Sequence, residues 1–331
     1  MKRANKYRIF HLLGEGGFAR VYLAVERKTG EKVAIKMTKV PTFVGLEETI
    51  YPYWAEVIDL ENERIISTKK IDDINIMLRR EEELLKKIRH PAFVKVLDKG
   101  EALGLYYLVL EYIEGETLAE KMKNGKAIHL NYFVQIIDAL IAAKKDGLEY
   151  HGDLKPKNII IAKENQIKII DPSFQTSPNP FHLITTPLYN PLIEKSDIPS
   201  LGIMLYQSLT GELPFKDSLL DLTQDASTDK YDTEKKDDFL KASKFLFPRE
   251  VNPDIPKRLE NTVLRAIGIK VNKNEIRYEK GYHDLKEIKK DFEDCIRTGI
   301  NQIQMPKKTA IQNDSDMLDT DEFIFSLDYR C

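Results

Sequence analysis

The stretch His151-Gly152-Asp153-Leu154-Lys155-Pro156-Lys157-Asn158, followed by Ile169-Ile170-Asp171, decides how the chain reads. It places an Asp, a Lys and an Asn within six residues, just ahead of the β-branched run Ile159-Ile160-Ile161. A second Asp ends the next such run. On loops between short strands, these groups suit a magnesium-bound phosphate. Asp153 can accept the proton of an attacking hydroxyl, and Asn158 and Asp171 are hard oxygen ligands. Lys155 can sit on a transferring phosphate as a point charge.

Composition narrows the setting. The 331 residues suffice for two domains or one large one. A hydrophobic fraction of 42% and a charged fraction of 31% describe a soluble globular chain. The net charge of −2 argues against nucleic acid as a partner, because phosphate-backbone binding needs a basic excess. Two cysteines, Cys295 and Cys331, make no disulfide framework and fit a reducing compartment. The longest apolar runs, such as 198–209, are short and interrupted, so no membrane span is expected. Lys2, Arg3, Lys6 and Arg8 have no apolar core behind them, so a cytoplasmic location is expected.

The opening pattern resembles the catalytic loop of eukaryotic-type (Hanks-type) serine/threonine protein kinases, H-R-D-x-K-x-x-N, with Asp171 at the metal-binding Asp that follows it. Gly152 stands where the family usually has Arg, and Asp171-Pro172-Ser173 replaces D-F-G. His-Gly-Asp also resembles small-molecule phosphotransferases, which keeps a non-peptide substrate as an alternative. Pro172 and Leu192 keep a nucleotide-binding scaffold with little turnover as another.

Upstream, the chain reads as strands over 7–13, 21–25 and 32–37, with a turn at Lys28-Thr29-Gly30-Glu31. Gly14-Glu15-Gly16-Gly17 followed by Val21 resembles the kinase glycine-rich loop, with Ala19 at its third glycine. Val33-Ala34-Ile35-Lys36 resembles the kinase V-A-I-K strand. The resemblance implies that Gly14, Glu15, Gly16, Gly17, Val21, Ala34 and Lys36 bind the nucleotide. Lys36 needs an acid to stay aimed. A helical pattern over 74–88 puts Ile74, Met77, Leu78, Glu81, Leu85 and Ile88 on one face, which selects Glu81. Glu82 and Glu83 are expected to point to solvent.

Strands are expected over 93–97 and 105–112, completing a five-stranded antiparallel sheet. Leu108 to Gly115 resembles a kinase hinge. By that likeness Leu110 lies beside the adenine, and the backbone of Glu111 and Ile113 bonds its edge. An amphipathic helix over 130–144, capped at Gly147, delivers the chain to His151. Thr185-Thr186-Pro187-Leu188-Tyr189-Asn190-Pro191 resembles the end of the activation segment, and Leu192 replaces its Glu, so the usual pair with Arg277 is not expected. The interval from Pro191 to Asp197 is short for the family. Asp197-Ile198-Pro199-Ser200-Leu201-Gly202 resembles the D-x-x-S-L-G helix, whose Asp bonds the catalytic-loop backbone. The closing helices are expected over 251–269, 274–278 and 282–296.

The resemblance implies an α+β, bilobal protein-kinase fold, a small antiparallel sheet lobe plus a larger helical lobe. It divides the chain into 1–113, with an insertion at about 38–70, 114–300, and an acidic tail over 301–331. It implies ATP and Mg2+ as cofactors, Asp153, Lys155, Lys36 and Glu81 as catalytic groups, and Asn158 and Asp171 as metal ligands. Its partners would be protein substrates with Ser or Thr acceptors, this chain among them. The insertion and the tail are candidate sites for a regulator.

Overall fold

Tyr7–Glu15 (β1), Ala19–Glu26 (β2) and Lys32–Thr38 (β3) form successive antiparallel pairs in the computed structural model, which describes residues 6–15, 19–38, 58–59, 64–65, 68–102, 104–172, 189–190, 195–215, 233–243, 245–272 and 275–304. Two compact units divide the chain. One comprises the chain up to Lys86 together with Val94–Tyr112; the other comprises Lys87–Phe93 and the chain from Ile113 onward to Ile311.

In the first unit, Ile58–Asp59 (β4) and Arg64–Ile65 (β5) make a small separate pair inside the expected insertion. Residues 39–57, 60–63 and 66–67 of that insertion, Tyr51, Tyr53 and Trp54 included, lie outside the described residues. Helix α1 runs Thr68–Lys87. Val96–Ala102 (β6) and Leu105–Glu111 (β7) complete a five-stranded sheet in the order β1-β2-β3-β7-β6. Because side chains alternate along a strand, the register sorts the sheet into two faces. Ala24, Val33, Ile35, Tyr107 and Val109 pack together on one. Val21 opposite Lys36, Lys36 opposite Leu108, and Ala34 opposite Leu110 lie on the other.

The expected strand over 93–97 is corrected to Val96–Ala102. Residues 92 and 93 are drawn to the second unit instead. The Ile169 N–H donates to the Ala92 carbonyl at 2.7 Å, and Phe93 bridges Ile169 in parallel.

The second unit contains Glu116–Thr117 (β8), Leu118–Lys123 (α2), Ile128–His129 (β9), Leu130–Lys145 (α3), Ile159–Ile161 (β10) and Ile167–Ile169 (β11). Thr117 and Glu120 form a reciprocal capping box at the start of α2. Next come Ile198–Thr210 (α4), Thr233–Ala242 (α5), Pro248–Val251 (α6) and Lys257–Ile267 (α7). Ile269–Asn272 (β12), Glu275–Tyr278 (β13), Leu285–Arg297 (α8) and Gln302–Ile303 (β14) close the described chain. Helix α4 is buried on nearly every residue, as a central core helix is. A Cβ on Gly202 would lie 2.7 Å from the Ala266 Cβ, so glycine is what lets α4 and α7 approach. Phe133 of α3 stacks on Phe292 of α8 at 5.1 Å, both fully buried. Each such side chain contributes about 1.5–3 kcal/mol through burial.

The second of the expected closing helices, over 274–278, is instead one strand of a hairpin. β12 and β13 pair from Ile269 opposite Tyr278 to Asn272 opposite Glu275. Gly268, at φ +82°, ends α7, and the branched residues Ile269, Val271 and Ile276 favour extended backbone. Among the described residues, no helix is long and apolar enough to cross a membrane.

Candidate active site

The first unit supplies one cation and its acid. Lys36, on β3, extends from a strand paired on both edges, so its backbone is held. Its Nζ lies 2.7 Å from Glu81 Oε2 of α1, with the two side chains only 12% and 10% exposed. The helical phase therefore selected the acid that meets Lys36. A unit pair at about 4 Å is worth roughly 4 kcal/mol at an effective dielectric of about 20, more than the rotamer entropy of one lysine, about 2 kcal/mol.

Glu82 is a correction. It is 4% exposed, and it accepts from the Tyr106 hydroxyl, from Lys99 and from Lys86. Burial pushes its carboxyl up, but those three partners outweigh burial and hold it at about 2. Only Glu83 of the three acids is exposed. Spacing held a signal for this. Asn75, Leu78, Glu82 and Leu85 form a stripe of their own, and all four are buried.

Glycine-loop residues are described in part. Gly14 pairs with Val21 and Glu15 with Arg20 across the β1–β2 hairpin, after a register shift between Leu12 and Gly14. The Glu15 carboxylate meets the Arg20 guanidinium at 3.0 Å. Gly16 and Gly17 lie outside the described residues. At the end of β7, Leu110 is 4% exposed. The Glu111 N–H donates to the Lys95 carbonyl at 2.9 Å, so the carbonyl, not the N–H, is the backbone group Glu111 can offer a base. Ile113, in the second unit, is half-buried.

The second unit holds Asp153, Lys155 and Asn158 in one bonded set. Lys155 Nζ lies 3.0 Å from the Asp153 carboxylate. Asn158, in a single 3-10 turn started by Pro156, donates its amide nitrogen to the Asp153 carbonyl at 2.7 Å and to its carboxylate at 3.2 Å. Those bonds orient the amide so that its oxygen is the group it can present to a cation. The loop is anchored from behind. Asp197, fully buried, accepts the His151 N–H at 2.8 Å and the Gly152 N–H at 3.1 Å. Burial holds the Asp197 carboxyl above its ordinary value, while the two amides that donate to it pull the other way. The buried His151 ring accepts the Asp153 N–H at Nδ1, 3.3 Å, and Nε2 lies 3.0 Å from the Ile170 carbonyl. That pattern requires the proton on Nε2. The Ile170 N–H in turn donates to the Asn158 carbonyl at 3.0 Å. Both peptide groups of the residue before Asp171 are thus tied to the loop.

Asp171 itself has φ +57°, a left-handed conformation that Asp tolerates better than most residues. Gly152 has φ +84°, where a side chain is strained. Among the described residues, no cluster of three His, Cys, Asp or Glu could hold a metal alone. An amide oxygen and one carboxylate match Mg2+, which binds through few protein oxygens and completes its shell with water and substrate phosphates.

Thr185, Thr186, Pro187, Leu188, Pro191, Leu192 and the tail from 305 lie outside the described residues, as do Ser173, Thr176 and Ser177, so the activation-segment and tail expectations fall there. Arg277 is exposed on β13. Tyr189 is buried, and its carbonyl accepts the Ser200 hydroxyl of α4 at 2.9 Å.

A family model described as the protein kinase domain matches residues 7–264. The chain is 26% identical, over 95% of its length, to serine/threonine-protein kinase PrkC of Bacillus subtilis, of which the match covers 44%. It is also 26% identical, over 98% of its length, to a probable serine/threonine-protein kinase of Clostridium acetobutylicum, covering 46% of that protein. It is 29% identical over 80% of its length to CBL-interacting serine/threonine-protein kinase 8 of Arabidopsis thaliana, covering 57% of that protein. The chain thus spans about half the length of these relatives.

Proposed function

Because the chain belongs to the protein kinase domain family, we propose that it is an ATP- and Mg2+-dependent serine/threonine protein kinase that also phosphorylates itself. The observation that carries this reading is the Asp153 carboxylate, with Lys155 at 3.0 Å and the Asn158 amide at 3.2 Å on a loop anchored by Asp197. In the proposed reaction an acceptor hydroxyl oxygen bonds the γ-phosphorus, the bond to the β–γ bridging oxygen breaks, ADP leaves, and the hydroxyl proton passes to Asp153. Lys155 offsets charge on the phosphate in transfer. Lys36, aimed by Glu81, holds the α- and β-phosphates. Gly14 to Gly17 and Val21 cover the phosphates, and Ala34, Leu110 and the backbone of Glu111 and Ile113 receive the adenine. Mg2+, held by Asn158 and Asp171, would neutralise phosphate charge. Such catalysis is mainly positioning and electrostatics. In this reading 1–113 is the small lobe, 114–300 the large lobe and 301–331 a tail.

The test is incubation with labelled ATP, Mg2+ and a generic basic protein, comparing wild type with Asp153→Asn and Lys36→Met. Wild type is expected to label the acceptor and itself on Ser or Thr, and both variants to fail. Equal incorporation by wild type and Asp153→Asn rejects the mechanism. Transfer to a metabolite with none to protein rejects the substrate class.

A further inference from the structure

Helix α1 is fastened to strand β7 at two places, and both grip the same residue. The Asn75 side chain, 2% exposed, accepts the Tyr106 backbone N–H at 2.8 Å and the Thr38 hydroxyl at 3.1 Å. Its amide nitrogen donates to the Gly104 carbonyl at 2.8 Å. Seven residues on, the Glu82 carboxylate accepts the Tyr106 phenol and lies 2.8 Å from the Lys99 ammonium. The Arg79 guanidinium lies 4.4 Å from the Tyr106 ring centroid and meets Glu101 at 2.5 Å, so the ring is held on its face as well.

Seven residues are close to two helical turns. Asn75 and Glu82 therefore share a stripe and stand about 10 Å apart along the axis. Leu78 lies between them and Leu85 just beyond, both buried. Apolar packing is non-directional and leaves a helix some freedom to roll and slide. Hydrogen bonds at two heights do not, because each requires a distance and an angle. Glu81 is the next residue round the helix from Glu82, about 100° away. A roll of half that angle would carry its carboxylate about 5 Å from Lys36, given a side chain reaching well beyond the helix's Cα radius.

We propose that Asn75, Glu82 and Tyr106 form a positioning lock that sets the roll and height of α1 so that Glu81 stays on Lys36. The lock's effect on catalysis rests on the kinase reading above. Its geometry rests on the first unit alone, and every one of its residues belongs to that unit. Glu82 and Tyr106 act here through Glu81 and touch no reacting atom.

The test uses the full chain and two readouts. In steady-state kinetics with ATP and a basic protein, Glu82→Ala is expected to lower kcat/KM about tenfold, the scale of a lost charged hydrogen bond. In a Glu81→Ala background it is expected to cost nothing further, because the roll of the helix matters only through Glu81. By hydrogen exchange without nucleotide, α1 amides are expected to lose protection in Glu82→Ala while those of α4 keep theirs. Tyr106→Phe, which removes one oxygen and keeps the ring, is expected to show the same non-additivity at smaller size and serves if Glu82→Ala unfolds the sheet. The same cost in both backgrounds, or unchanged α1 exchange in both variants, overturns the lock. If wild type transfers no phosphate, the kinase reading is rejected and the exchange result alone judges the lock.

Discussion

Asp197 accepts the backbone N–H of His151 at 2.8 Å, and its second oxygen takes the next N–H, that of Gly152, at 3.1 Å. One buried carboxylate thus fixes the two peptide groups that lead into Asp153. Asp197→Ala would leave both amides buried without an acceptor. It is expected to lower the unfolding free energy by about 3 kcal/mol in urea titration, and Asp197→Asn, which keeps one acceptor oxygen, by less. Equal stability of the two variants would remove the anchor role.

Lys36 and Glu81 are expected to act as a unit. Lys36→Met and Glu81→Ala should each lower kcat/KM for ATP about 100-fold, the scale of losing a positioned charge. The double variant should be little worse than either alone, since each change disables the same contact. Losses that multiply would show that the two residues work separately.

Asn158 donates its amide nitrogen to Asp153, and in the proposed reaction its oxygen would hold a cation. Asn158→Ala is expected to reduce phosphate transfer about 100-fold and to raise the Mg2+ concentration needed for half-maximal rate. A reduced rate with an unchanged Mg2+ dependence would leave only the bond to Asp153.

Gly152 occupies a backbone conformation at φ +84°. Gly152→Arg, which would write the family's usual residue into this loop, is expected to destabilise the protein by about 1–2 kcal/mol from that conformation alone. Differential scanning calorimetry reads the shift, and an unchanged Tm counts against the strain.

Glu82 predicts a pH dependence. Its folded carboxyl is held at about 2, below the ordinary 4.5. A lowered folded value means the unfolded chain binds more protons in between, so the contribution to stability is complete above the ordinary value and is lost as pH falls through about 2. The stability difference between wild type and Glu82→Gln should therefore be flat near neutral pH and shrink on acidification across that window. A difference that stays constant into strong acid contradicts the network.

Local spacing carried much of the site. Asp153, Lys155 and Asn158 are five residues apart at most. A single turn begun by Pro156 is enough to bring the Asn158 amide back to Asp153, so their association needs no distant element. The choice of Glu81 among three consecutive acids was also legible, because helical phase is a property of the sequence. Phase gave the direction in which Glu82 points but not what stands there. Tyr106 and Lys99, from two strands further along, turn that direction from solvent into a buried network. The hairpin over 269–278 was misread for a related reason. Its residues are extended because they pair with each other, and a short stretch shows its partner only after folding.

By itself the amino-acid order determined which chemical groups exist and how they are spaced over one or two turns of chain, because covalent geometry limits reach at that range. Only the tertiary structure decided that Glu82 turns into a buried network with Lys99 and that Tyr106 is gripped at both its backbone and its hydroxyl. Those contacts join segments far apart in sequence. Packing and the need to satisfy buried polar groups select them together, and no local pattern encodes that selection.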